Sequence, residues 1–186
     1  MKNERPKLAI TVAILLSIFF ATYIIRDLRH GYLNGTTPTA LEQYSSEDGV
    51  TFKYPNTYRL SSKNHEMAGA KWDSVELIPK NVVVPAFSDG PQSISLEVFD
   101  DSAGLSLEKY IKNDVRSNFT LSNGTLSPTT IGGQPAVTYQ YSGLYEYDAV
   151  AVLHNNKVFV FSVGWSQTTD QIRRDYSGIL STITFQ

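Results

Sequence analysis

Nine residues near the C-terminal end, KVFVFSVGW (Lys157–Trp165), constrain the fold of this chain more than any other stretch. Alternate side chains of an extended strand point to opposite faces. Val158 and Val160 therefore take one face, and Phe159, Phe161, Val163 and Trp165 take the other. A strand that is apolar on both faces must be covered on both, so this one is central, with a layer of structure on each side of its sheet. It also forms half of a hairpin. YEYDAVAVLH precedes it, and the turn His154–Lys157 contains Asn155-Asn156, residues that tolerate positive φ.

The other elements follow from the same period arguments. In GVTFKYPNTYRLS, Val50, Phe52 and Tyr54 alternate with Thr51 and Lys53 as a half-buried strand halted by Pro55, and Tyr58–Leu60 resumes extended structure. AKWDSVELI (Trp72, Val75–Ile78) and SISLEVFD (Ile94, Leu96, Val98) give two more strands. PKNVVVPAFSDGPQ between them holds three prolines and reads as a long loop. The period then changes. In SLEKYIKNDVRSNF, Leu107, Tyr110, Ile111, Val115 and Phe119 share one helical face, with Ser106 as N-cap. TTIGGQPAVTYQYSG supplies a short strand, a Gly132-Gly133 turn and a strand from Ala136. A last helix, TTDQIRRDYSGIL, has Thr169 or Asp170 as N-cap and Ile172, Tyr176, Ile179 and Leu180 on one stripe, and ends in the extended STITF. Strands, helix, antiparallel strands and helix in this order predict an α+β fold, an antiparallel β-sheet flanked by helices.

The N-terminal end obeys a different constraint. Leu8–Ile25, LAITVAILLSIFFATYII, is an uncharged run of 18 residues. As a helix rising about 1.5 Å per residue it spans about 27 Å, against a hydrocarbon core of about 30 Å. It has no polar face, and basic residues bracket both ends. A cleaved signal would carry a shorter apolar region and a small-x-small exit, whereas FFATYII is bulky around Ala21. The expectation is a transmembrane anchor over 8–25 that contacts the lipid bilayer, preceded by a short cytoplasmic tail (1–7) and followed by a linker (26–47) and a folded domain (48–186). Lys2, Arg5 and Lys7 before the span, against Arg26 and Arg29 after it, favour a cytoplasmic N-terminus and an extracytoplasmic domain by a small margin. Cleavage would instead release a soluble ligand-binding protein.

Charge and composition exclude several classes. Residues 1–30 carry a net charge of +3 and residues 31–186 carry −5. Nucleic-acid affinity comes mostly from Lys and Arg displacing counterions, so an acidic domain disfavours that partner. The absence of cysteine removes disulfides, zinc–thiolate sites and cysteine nucleophiles.

GVTFKYPNTYRL, SLEKYIKNDV, IGGQPAVTYQYSG, KVFVFSVGW and YSGILSTITF, in this order, resemble the PsbP-like family, whose founding member is the extrinsic protein of the photosystem II oxygen-evolving complex. The resemblance covers about residues 50–186 and rests on packing motifs. It implies an α/β/α sandwich and a non-catalytic module that binds and stabilises a membrane complex. The photosynthetic members modulate calcium and chloride, but no metal ligand carries over to this chain.

Candidate chemistry in the sequence is sparse. Glu66 beside His65 makes no His-Glu-x-x-His; His30 sits at the membrane boundary, and His154 in a hairpin turn, where solvation is the simpler account. Asp100-Asp101 follow a strand without the calcium-loop pattern and read as a polar strand end. Glu146 and Asp148 share a strand face, as an acid/base pair of an envelope enzyme would, though a solvated edge is the simpler account. No serine elbow, phosphate-cradling loop or cofactor motif is present. Four tyrosines stand out: Tyr139 and Tyr141 on one strand face, Tyr145 and Tyr147 on another. Tyr suits both layer packing and a partner or glycan interface. The function expected is a membrane-anchored binding or accessory subunit with a protein partner in the membrane or envelope.

Overall fold

A computed structural model of the chain describes residues 39–67, 70–83 and 90–186. The tail, the 8–25 run and the first part of the linker lie outside them. Among the described residues no helix is long and apolar enough to cross a membrane.

Among the described residues, ten strands and two helices make up the domain. The strands are β1 Leu41–Ser45, β2 Val50–Pro55, β3 Tyr58–Met67, β4 Ala70–Pro79, β5 Ile94–Asp100, β6 Ser127–Ile131, β7 Gln134–Ser142, β8 Glu146–His154, β9 Lys157–Trp165 and β10 Thr184–Phe185; the helices are α1 Leu107–Asn113 and α2 Gln171–Leu180. Seven strands form one antiparallel sheet in the order β3-β4-β5-β9-β8-β7-β6, and β1-β2-β10 form a small second sheet. β9 is the middle strand, with three strands on each side, so the two-faced strand is interior as expected.

Each face of β9 has its own core. Phe159, Phe161 and Val163 pack with Leu96 of β5, with Val50 and Phe52 of β2, and with Ile172, Tyr176 and Ile179 of α2. The Tyr176 hydroxyl donates to the Phe161 carbonyl at 2.9 Å, tying the helix to the strand beneath it. On the opposite face Val158 and Val160 pack with Phe99, Tyr139 and α1 residues Tyr110 and Ile111. The hairpin turn after β8 places Asn155 and Asn156 at φ 49° and 59°, the left-handed conformation their side chains allow.

Three elements depart from expectation. Leu41–Ser45, assigned to the linker, is a strand paired with β2 from Leu41↔Pro55 to Ser45↔Thr51. Its side chains are mostly exposed, so it has no buried stripe to read, and only Tyr44 reaches inward, with its ring 5.0 Å from Phe52. β3 continues well past Leu60 through the polar SSKNHE, because an edge strand needs backbone pairing more than burial. The helix expected across 107–119 stops at Asn113. Asp114 is extended (φ −86°, ψ 118°), and its carboxylate accepts from the Arg116 backbone N–H at 2.9 Å. The Ser117 hydroxyl donates to the Ile111 carbonyl at 2.6 Å, and Asn118 turns left-handed at φ 57°. Local side-chain bonds of this kind compete with the helix. Two short 3₁₀ turns, Val115–Ser117 and Phe119–Leu121, replace the rest of it.

Candidate functional site

Because α1 is short, it covers only part of its face of the large sheet. Beyond it, the inward positions of three neighbouring strands are polar. On β5 the buried Ile94, Leu96 and Val98 point to the α2 side, so Ser95 and Glu97 point to the other. Cross-strand register then sets Ser74 of β4 opposite Glu97, Glu76 opposite Ser95, and Ser162 of β9 opposite Ser95. The result is an open groove of about 310 Å³ whose floor carries these side chains, with Asn118, Leu121, Leu144 and Tyr147 along its walls.

The floor is bonded internally. Ser95 and Ser162 hydroxyls share a hydrogen bond of 2.8 Å, and His65 Nε2 shares one of 2.7 Å with the Ser74 hydroxyl. The His65 ring stacks on Trp72 at 4.9 Å, and the Trp72 indole N–H donates to Glu97 Oε1 at 3.2 Å. Burial pushes the Glu97 carboxyl above its ordinary range; the Trp72 hydrogen bond and Arg116 oppose the shift, and the Glu76 carboxylate adds to it. Burial also raises the Tyr141 phenol to about 12.

The four tyrosines are brought together, but mostly for packing. Tyr139 and Tyr141 are buried (3% and 8% exposed), and Tyr139 donates to the Ser117 carbonyl at 2.7 Å. Tyr147 pairs across the sheet with Tyr141, and their rings stack at 4.6 Å and 4°. Tyr145 meets Tyr147 edge-on, and its hydroxyl donates to the Gly90 carbonyl at 3.1 Å. The ring of Tyr147 also lies over Gly164, where a Cβ would come within 3.0 Å of it. A continuous exposed tyrosine stripe is therefore not what these residues form. Only Tyr145 and Tyr147 are half-exposed, and Tyr147 borders the groove.

The carboxylates singled out from sequence lie elsewhere. Ser142 donates to Glu146 at 2.7 Å, whereas Asp148 is held by Arg173 and by Gln140 at 2.6 Å, so each is engaged by its own partner. Asp100 pairs with Lys157 at 3.0 Å at the strand end. Asp101 is not a solvated strand end: it is 5% exposed, and its Oδ1 has no hydrogen-bond partner. Among the described residues no group of three His, Cys, Asp or Glu is placed to hold a metal. His154 is fixed rather than free in its turn, with Nε2 3.1 Å from the Gln186 carbonyl oxygen and its ring 5.1 Å from Phe185. His30 lies outside the described residues.

A larger cavity of about 720 Å³ lies between the Asn56–Tyr58 turn, Pro79–Val82 and the start of α2. Its lining includes Asp170, Asp175, Lys80 and the Tyr58 hydroxyl, which donates to Asp175 at 2.7 Å, but no imidazole. Of the groove residues, His65, Tyr141 and Tyr147 stood out in the sequence, whereas the polar floor did not, although Ser162 interrupting an apolar strand and Ser95/Glu97 alternating with Ile94/Leu96/Val98 were the available signals.

No protein-family model matches this sequence, and no curated protein does either. The structure, however, is similar to the solution structure of cyanobacterial PsbP (CyanoP) from Synechocystis sp. PCC 6803, with a TM-score of 0.53 over 82% of this chain and 96% of that one, at 14% identity. The fold is PsbP-like. A crystal structure from Bacteroides thetaiotaomicron VPI-5482 is also similar, with a TM-score of 0.47 and 12% identity over 78% of this chain and 48% of that one. Within the PsbP-like fold, the groove occupies the stretch of sheet that α1 leaves open.

Proposed function

We propose that this chain is a non-catalytic accessory module, anchored in a membrane by residues 8–25, whose extracytoplasmic domain binds and stabilises a protein partner in the membrane or envelope. The observation that carries this is the open groove on the sheet face beyond α1, where Leu121 and Leu144 stand 54% and 56% exposed beside a polar floor. Large apolar side chains left in water next to a concave surface suit a contact that another molecule completes. The PsbP-like fold supports the same role by analogy of architecture. The 18 uncharged residues flanked by basic ones support the anchor, and the small excess of positive charge before them supports the orientation.

Mass spectrometry of the tagged protein, purified gently from its native membranes, tests the proposal. Peptides from residues 1–30 together with a stoichiometric membrane partner are expected. A chain beginning between residues 22 and 40 and travelling alone would overturn it.

A further inference from the structure

The groove has a charge imbalance that identifies what it takes. Among the described residues no lysine or arginine lines it. Glu76 has Lys63 beside it at 2.8 Å, reaching in from the edge strand. Glu97 sits deeper, with the Trp72 indole as its donor, and the nearby Arg116 guanidinium is paired with Asp114. A desolvated carboxylate without a cation of its own is costly, and a cation arriving from outside relieves that cost. The apolar wall beside it, Leu121 and Leu144, matches the hydrocarbon stem of a long basic side chain, which keeps a charged head and an apolar body on one residue. A sugar would instead need an open aromatic platform, and one face of Tyr147 is already covered by Tyr141.

We propose that the groove receives an arginine or lysine side chain of the partner protein, its charged head on Glu97 and its stem along Leu121 and Leu144. The Ser95 and Ser162 hydroxyls, bonded to one another at 2.8 Å, are placed to accept the remaining N–H groups of the head. The proposal rests on the accessory-module function and assigns the contact that the module makes. The raised carboxyl pKa fits it: a cation favours the ionised form, so binding tightens as pH rises through the range in which Glu97 loses its proton.

The full chain in detergent micelles is the material for the test, and the Trp72 indole N–H resonance is the reporter. The probes are N-acetyl-arginine amide, its neutral isostere N-acetyl-citrulline amide, and a short peptide with one arginine between apolar residues. Saturable shifts are expected with the arginine probe and more tightly with the peptide, and none with citrulline. Glu97→Gln should weaken peptide binding by roughly thirtyfold or more, as breaking a buried charge pair does. Glu42→Gln, on the small sheet, should leave it unchanged. Absence of saturable shifts, or equal binding by Glu97→Gln, overturns the proposal. Peptide binding no tighter than that of the free amide overturns a protein source and assigns the groove to a small organic cation. If Glu97→Gln still captures a stoichiometric partner from native membranes, the groove assignment falls while the accessory function stands.

Discussion

Ile111 and Val115 occupy the same face of an ideal helix running through residues 107–119, yet α1 ends between them. Ile111 is fully buried against Phe99 and Val160, whereas Val115 is 66% exposed. Ile111→Ala removes three carbons from a close-packed site. Transfer at about 0.8 kcal/mol per carbon gives about 2.4 kcal/mol, and the cavity left behind adds about 1–2 kcal/mol, for a total near 4 kcal/mol. Val115→Ala removes two carbons of which only about a third is out of water, about 0.5 kcal/mol by the same rule. At roughly 2–4 °C per kcal/mol for a domain of this size, Ile111→Ala should lower the melting temperature by about 8–16 °C and Val115→Ala by about 1–2 °C. Near-UV circular dichroism of the full chain in mild detergent reads both. Equal losses for the two variants would refute the early helix end, and with it the reason that part of the sheet face stands open.

Other outcomes follow from single contacts. Glu97→Gln should raise stability in a pH-dependent way: a carboxyl whose folded pKa is raised by burial binds more protons folded than unfolded, so wild-type stability falls as pH rises through that window. The gap between variant and wild type should be small below the ordinary glutamate range and reach its full size above the raised value; a gap that does not change with pH in thermal melts argues against the buried carboxyl. Gly164→Ala drives a methyl group within 3.0 Å of Tyr147 and 3.3 Å of Tyr145, so a loss of about 1–3 kcal/mol with altered tyrosine near-UV signal is expected. An unchanged spectrum and melting temperature would mean that the rings do not rest on that glycine. Tyr176→Phe removes the bond to the Phe161 carbonyl and should cost about 1–1.5 kcal/mol in urea unfolding; no loss would show the hydroxyl to be dispensable.

What the sequence revealed was local or periodic. The two-faced β9, the stripe of α2 and the Asn155-Asn156 turn each depend on residues within a few positions of one another, and each is where the pattern places it. β1 and the outer half of β3 escaped notice because edge strands are held by backbone pairing, which leaves no apolar alternation. The end of α1 escaped because a serine hydroxyl and an aspartate outcompeted a good helical period. The groove was legible only as scattered polar residues, Ser162 in an apolar strand and Ser95 and Glu97 alternating with apolar ones, and not as one site. Ser74, Glu97, Ser95 and Ser162 meet only through the register of three strands, one of them more than sixty residues away in the chain, and register is a property of the assembled sheet. The tyrosines drew attention as a surface feature, but the pairing of Tyr141 with Tyr147 turned them into a stack.

The small sheet has a consequence for how the domain forms. Val50 of β2 pairs with Phe185, and the backbone N–H of Gln186 donates to the Gly49 carbonyl at 2.9 Å. β2, paired on one side with β1, thus waits for a strand from far along the chain, β10, before its second side is closed. Closing so long a loop is an entropic cost met late, and contacts of such sequence separation slow folding. During synthesis the N-terminal portion emerges first, so Val50 and Phe52 are made long before their closing strand. Loss of even the last few residues would leave that strand half-paired, and the route to the native state would end one step short.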